Sequence, residues 1–548
     1  MTADRPRLIY YQDAHHFHAK QLDPPVNIQK LRWPVDELLG TGVDVLAFGL
    51  GYGDVYFHDS KVGRVVGQMQ DVWDSYIDWR IMRMVKDARE LGTDQLREVI
   101  ERGKEKGLKV FPSLKLQSCD RPGSDRCGLL KWHHADEVCM VEKDEFHPRY
   151  EWCYDYANPL VREDKLKVIR EIMADYQADG VELDFMFVPK FFKTGEEEKN
   201  SQLMTDFVND VRHLADEIGH DQGRKITVSA RVFHQRDANL RLGLDVETWV
   251  KNGSLDMVVG QMSEQFMDTG AFDLRWLVDA AQATHTAAYV RPTRRVYDER
   301  SAAPTVEMYR AFGQTARRQG IDGLYLGYLR WPFSQVEYEI LRDAAYPEPF
   351  ARRDKRYLLQ PLESGLVLEE LVDYQGGYPK KPHRSEDEIT DPPERYLPID
   401  LVVGETVSIP IIVSDDLESA RADGELRKPI LTLRFSQYCV EDEIEIRFNG
   451  DVLPVEKADV TDELAVTMPV SPRGSSFEGA LGISAHWFRF KLEVESLREG
   501  KNVVEIETKR TDKFAGFTRS LNGVEIQTRY KDFVRPESFE VERVAPRW

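Results

Sequence analysis

The residues that could do chemistry together lie in one short stretch, Asp179-Gly180-Val181-Glu182-Leu183-Asp184-Phe185-Met186. Read as a strand, its side chains alternate, so Val181, Leu183 and Phe185 share one face while Glu182, Asp184 and Met186 share the other. Carboxylates at adjacent same-face positions stand roughly 7 Å apart at Cα. Burying both of them ionised and unpartnered is costly, so either countercharges stand nearby or one carboxyl keeps its proton. Paired acids of this kind suit glycosidic bond cleavage. One carboxylic acid protonates the departing oxygen, and a second carboxylate attacks the sugar or activates water. The plainer alternative is a salt-bridged structural pair at a strand end.

Such a pair needs elements to hold it. Up to about residue 345, strand-like runs alternate with amphipathic helical ones, at Arg7 to Asp13, Val43 to Leu50, Leu108 to Leu116, the acid stretch, Ile226 to Val232, Leu255 to Gln261, Ala287 to Arg291 and Gly323 to Tyr328. Between them, Thr93 reads as the cap of a helix carrying Leu96, Val99 and Ile100, and Asn158-Pro159 opens another carrying Val161, Ile169 and Ile172. This alternation predicts an α/β fold, a (β/α)8 TIM barrel, with a doubly wound open sheet as the competitor. Helix-to-strand connections are short, as at Lys106-Gly107, whereas residues 51 to 80, 117 to 157 and 186 to 200 form long strand-to-helix connections. In a barrel those long loops build the C-terminal face, where active sites sit.

The strand phases place bases beside the acids. On the third strand Phe111, Ser113 and Lys115 alternate with Val110, Pro112 and Leu114, and on the fifth Thr227, Ser229 and Arg231 alternate with Ile226, Val228, Ala230 and Val232. If the polar sets point inward, Lys115 and Arg231 flank Glu182 and Asp184 and supply the countercharge. Asp13 ends the first strand and is followed by His15 and His16. Gln261 ends the sixth, with Glu264 just beyond, and Arg291 ends the seventh. Tyr328 and Trp331 follow the eighth.

From about residue 346 to 399, Pro- and Gly-rich turns such as Gly376-Gly377 and Asp391-Pro392-Pro393 mark a linker and packing segment. From 400 to 548 the pattern is short alternating strands only, with a hairpin signal at Asn449-Gly450, which predicts an antiparallel β-sandwich accessory domain.

Composition narrows the partners. Across 548 residues, 95 Asp and Glu against 74 Lys and Arg leave a formal charge of -21, a surface that repels nucleic acid and anionic membrane. No run approaches the length of a transmembrane span, and none near Met1 has the form of a signal peptide. A cytoplasmic location is therefore the expectation, or a secreted one if a leader has been removed. Of the five cysteines, Cys119, Cys127, Cys139 and Cys153 cluster near His133, His134 and His147 without any C-x-x-C pair. Free or buried thiols are expected there rather than zinc, and no metal or cofactor is assigned.

Three segments carry a resemblance: Tyr154-Asp155-Tyr156-Ala157-Asn158-Pro159-Leu160-Val161-Arg162, the acid stretch, and Leu244-Asp245-Val246-Glu247-Thr248-Trp249 ahead of Leu255-Asp256-Met257-Val258-Val259. Over roughly residues 5 to 345 the chain resembles bacterial glycoside-hydrolase-like (β/α)8 barrel proteins, mostly uncharacterised, which commonly carry a C-terminal β-sandwich. That resemblance implies a glycosidase-type barrel with a catalytic acid at the end of the fourth strand, here Asp184 or Glu182. The chitinase-type signature D-G-x-D-x-D-x-E would put its catalytic Glu on Met186, and a thioether cannot protonate a leaving group. Barrel glycosidases with a nucleophilic Asp on the fourth strand and an acid on the sixth are the better template. In that arrangement Asp184 attacks and Glu264 protonates, while Glu182, one layer deeper, orients the site or serves as a raised-pKa acid.

The expectation is thus a carbohydrate hydrolase. Asp13, His15, His16, Lys115, Arg231, Gln261, Arg291, Tyr328 and Trp331 are its candidate substrate-binding residues, and the bases among them either neutralise the acids or grip an anionic sugar. A non-catalytic carbohydrate-binding or scaffold protein on a decayed barrel is the alternative, and a sugar lyase or isomerase using Lys115 or a histidine as base is the third reading.

Overall fold

The eight strand-like runs become the staves of a closed parallel barrel: β1 (Leu8–Gln12), β2 (Val45–Gly49), β3 (Lys109–Lys115), β4 (Gly180–Asp184), β5 (Thr227–Phe233), β6 (Met257–Gln261), β7 (Ala287–Arg291) and β8 (Gly323–Gly327). Each stave pairs with the next in sequence, and β8 closes on β1 in a register running from Leu8 opposite Leu324 to Tyr11 opposite Gly327. The computed structural model describes residues 5–70, 72–73, 75–142, 150–262, 267–270, 272–294, 296, 303–360, 397–464, 484–513 and 518–531. These fall into two units, one of Met1–Ser263, Leu274–Arg291 and Gly320–Ala345, the other of Glu264–Asp273, Pro292–Gln319 and Tyr346–Trp548.

Period-two alternation sorts the staves' side chains inside and out. Ile9, Tyr11, Val45, Ala47, Phe111, Met257, Val259, Ala287, Tyr289 and Tyr325 form one cluster inside the barrel. Large inner rings need small neighbours in such a packed interior. A Cβ on Gly180 would lie 2.8 Å from Cε1 of Phe111 and 2.6 Å from the Thr227 carbonyl oxygen, and one on Gly323 would lie 3.0 Å from Cε1 of Tyr289. Glycine at those two points lets the rings fill the axis.

The connections follow the expected asymmetry. Helix Gln95–Lys106 ends on Gly107 in the left-handed region, at φ 74°, and β3 begins two residues later. Its N-cap is Asp94 rather than the expected Thr93. The Asp94 carboxylate accepts from the Arg97 N–H at 3.0 Å, and the Thr93 hydroxyl donates to Glu98 at 2.9 Å. An acceptor-only carboxylate suits the unsatisfied N–H groups at a helix start. Asn158 caps Pro159–Ala174 as the sequence suggests, its Oδ1 accepting from Leu160 N at 2.9 Å. The long connection after β2 holds a small parallel ribbon of Val55–Tyr56 and Arg64–Val65, and the one after β3 holds helix Leu129–Val138.

The second unit carries two antiparallel sheets, one ordered Lys355–Leu359, Ser520–Tyr530, Leu426–Ser436, Ser484–Lys491 and Asp459–Leu464, the other Thr406–Val413, Gly500–Arg510, Glu443–Phe448 and Asp451–Leu453. Leu431, Leu433, Phe435, Val524 and Ile526 from the first share a core with Ile409, Ile411, Ile446, Val504 and Ile506 from the second, the arrangement of a β-sandwich. Lys355–Leu359 thus lies within the stretch whose composition reads as linker. The Asn449-Gly450 hairpin is present, both residues having positive φ (53° and 96°) between the paired Phe448 and Asp451.

Candidate active site

Glu182 and Asp184 both face into the barrel from β4, and the register sets Asp184 level with Lys115 on β3 and Arg231 on β5. Arg231 answers both acids. Its Nη2 lies 2.5 Å from Asp184 Oδ2 and its Nε 3.4 Å from Glu182 Oε1, with all three side chains at most 4% exposed. Asp184 Oδ1 accepts from the Met186 N–H at 2.8 Å. Glu182 Oε1 accepts from the Ser113 hydroxyl at 2.7 Å and the Tyr325 hydroxyl at 2.9 Å. Burial raises the Glu182 pKa above the ordinary glutamate value. The Arg231 charge opposes that rise, Asp184 adds to it, and the two hydroxyls oppose it less. Burial also works against the charge on Arg231, but Asp184, Tyr325 and Glu182 outweigh it and keep the guanidinium protonated.

A second ion pair stands beside the first. Lys115 Nζ does not meet the β4 acids, the pairing its strand phase predicts, but reaches Asp13 Oδ2 at 3.1 Å and the Gly51 carbonyl at 3.1 Å. Arg231 already occupies the β4 carboxylates, and Asp13 needs the cation. Tyr328 donates to Asp13 Oδ2 at 3.0 Å and the His15 N–H to Oδ1 at 3.0 Å, so Asp13 also caps helix Ala14–Lys20. Burial pushes Asp13 up, yet Lys115, then His16 and His15, hold it well below the usual carboxylate range. It stays an anion. Burial holds His15 well below the usual imidazole value, despite the pull of Asp13.

In each of β6, β7 and β8 the first four residues are buried and the last, Gln261, Arg291 or Gly327, is partly exposed. Gln261 Oε1 accepts from Arg231 Nη1 at 2.8 Å and from Arg291 Nη1 at 2.7 Å. The Arg291 guanidinium carbon lies 5.5 Å from the Tyr11 ring, 5.7 Å from Tyr325 and 5.3 Å from Tyr328. His16 packs 4.9 Å from Tyr328, and His15 packs 4.8 Å from Tyr52. Asp184, Glu182, Asp13, Lys115, Arg231, Gln261, Arg291, Tyr328 and the two histidines therefore gather at one end of the barrel.

Trp331, with Trp33, neighbours the buried Glu37 carboxyl. Glu264 lies outside the described residues. Tyr11, Tyr325 and Ser113 do join, although none stood among the candidates. Their signal was phase: each sits an even number of residues from an inward-facing position, Tyr11 two before Asp13 and Ser113 two before Lys115. Cys119, Cys127, Cys139 and Cys153 are buried free thiols, and burial pushes Cys139 up to about 11.

Chemically, the site offers the Asp184 carboxylate fixed by a guanidinium and a backbone N–H, with a deeper carboxyl, Glu182, whose pKa burial raises. No protein-family profile matches the chain, and no curated protein matches it in sequence. Among solved structures, it is similar at 10% identity to a cycloisomaltooligosaccharide glucanotransferase from Paenibacillus sp. complexed with cycloisomaltoheptaose, over 95% of this chain and 57% of that one, with a TM-score of 0.36. An alpha-L-fucosidase isoenzyme 2 from Paenibacillus thiaminolyticus matches at 12% identity over 70% and 56% of the two chains, with a TM-score of 0.40. A noncanonic maltogenic alpha-amylase, AmyB from Thermotoga neapolitana, matches at 12% identity over 91% and 98%, with a TM-score of 0.37. The chain spans little more than half the length of the first two.

Proposed function

We propose that the protein is a glycoside hydrolase whose Asp184 attacks the anomeric carbon or activates water at the C-terminal end of the barrel. The observation that carries this reading is the fixing of Asp184. Both of its oxygens are oriented, by Arg231 Nη2 and by the Met186 N–H, at the C-terminal end of β4, where barrel enzymes place their reacting groups. A carboxylate already in position loses little freedom in the transition state. Asp13, held anionic by Lys115, does not suit proton donation. Glu264 is the proposed donor and Glu182 the orienting acid beneath Asp184.

A second reading rests on a specific observation. Asp184 is only 2% exposed and both its oxygens have partners, as befits a carbohydrate-binding barrel that orients sugar without cleaving it. Product-resolved incubation with defined aryl glycosides and oligosaccharides, neutral and acidic, separates the two. Release of a reducing sugar that disappears in Asp184→Asn supports hydrolysis. Saturable binding with no product from any member of the panel supports the binding reading.

A further inference from the structure

Arg231 answers Asp184 and Glu182, and Lys115 answers Asp13, whereas the groups acting on Arg291 are Arg231 and the rings of Tyr325, Tyr328 and Tyr11. Among the described residues no acid stands with them. Burial and the neighbouring Arg231 both work against its charge. Its hydrogen bond to Gln261, a neutral amide, uses Nη1, and among the described residues no acceptor takes Nε or Nη2. Partly exposed at the last position of β7, the guanidinium is held by Gln261 and by three aromatic rings.

A partly desolvated cation without an anion is unfavourable unless a ligand supplies the anion. We infer that Arg291 is the receptor for an oxyanion on the bound saccharide, and that the substrate carries a uronic-acid carboxylate. The free Nε and Nη2 edge presents two parallel N–H groups, a fork that matches the two coplanar oxygens of a carboxylate. Tyr11, Tyr325 and Tyr328 keep the fork from turning away, so little rotamer freedom is lost on binding. A sulfate ester shares part of this chemistry but not the planar match. The inference deepens the hydrolase reading and rests on it for the place of the sugar.

The test is calorimetric titration of the full chain with methyl glycosides of glucuronic and galacturonic acid, their neutral glucose and galactose parents, and a 6-O-sulfated galactoside. Wild type is expected to bind at least one uronate about tenfold or more tightly than its neutral parent, a gap of about 1.4 kcal/mol. Arg291→Gln should erase the gap, and Arg291→Lys, which keeps charge without the fork, should restore only part of it. Equal gaps for sulfate and carboxylate would replace the uronate with a general oxyanion and overturn the carboxylate assignment. A wild-type protein that binds no uronate better than its neutral parent, or a preference that survives in folded Arg291→Gln, overturns the receptor itself. If Arg291→Gln fails to fold, the wild-type comparison alone decides. Arg291-dependent uronate binding with no cleavage of any glycoside leaves the receptor standing and removes the hydrolase, and cleavage of neutral glycosides without a uronate preference does the reverse.

Discussion

Replacing Arg231 with methionine removes the one cation shared by the β4 acids while keeping most of the buried stem. Among the described residues Asp184 then retains only the Met186 N–H, whereas Glu182 keeps the Ser113 and Tyr325 hydroxyls. Charge centres about 4 Å apart in an effective dielectric near 20 attract by about 4 kcal/mol. Breaking a buried pair from one side costs about 3–5 kcal/mol, which is the expected loss for Arg231→Met at about pH 8. The loss should depend on pH. Burial already raises Glu182 above the ordinary glutamate value, and without the guanidinium that opposes the rise its neutral form is favoured further. A carboxyl raised in the folded state withdraws stability as pH climbs from its unfolded value to its folded one. The deficit is therefore smaller at about pH 5. Urea unfolding of wild type, Arg231→Met and Arg231→Met/Glu182→Gln at both pH values reads this directly, and the double variant should recover part of the loss at the higher pH. A deficit below about 1 kcal/mol, or one unchanged between the two pH values, would refute the buried clamp of Arg231 on Asp184 and Glu182.

Glu37 is 3% exposed, and burial pushes its carboxyl from the ordinary 4.5 up to about 8, with the Trp33 and Trp331 indoles opposing that rise only slightly. Because its folded value is the raised one, stability is full below about pH 4.5 and drains away up to about pH 8, by at most about 5 kcal/mol. Glu37→Gln should flatten that limb in thermal unfolding followed across this range, and an unchanged slope would contradict the burial. Gly180→Ala puts a methyl 2.6 Å from the Thr227 carbonyl and 2.8 Å from the Phe111 ring, so denaturant unfolding should show a loss of about 1–3 kcal/mol. A neutral substitution would mean that the inner layer is looser than its contacts imply.

The barrel staves were legible because alternation and length carry fold information locally. Ala287–Arg291 and Glu443–Phe448 fall on the bounds that alternation alone suggests, and the Asn449-Gly450 turn needs no tertiary knowledge. Which side of a stave faces in was also readable, since Ser113, Lys115, Ser229 and Arg231 break otherwise apolar runs. Pairing was not. Lys115 and Arg231 are both level with Asp184, and nothing in their order says that the lysine reaches across to Asp13 while the arginine bridges Glu182 and Asp184. Tyrosines were under-read for a related reason: Tyr11 and Tyr325 look like core residues, and only closure of β8 on β1 turns their rings toward Arg231 and Arg291. Trp331 is a substrate-binding candidate from its place after β8, and only the fold sets its indole beside Glu37.

The account stands on Asp184 as the reacting carboxylate, and the most direct test is kcat for Asp184→Asn on whichever glycoside the wild type turns over fastest. The substitution keeps the shape but removes the charge and leaves one acceptor oxygen for the Arg231 and Met186 N–H groups, so the fold loses stability toward denaturant while kcat of the folded variant falls at least about a thousandfold, roughly 4 kcal/mol of lost transition-state stabilisation. Turnover within about tenfold of wild type, in a variant shown to be folded at the assay temperature, would contradict it.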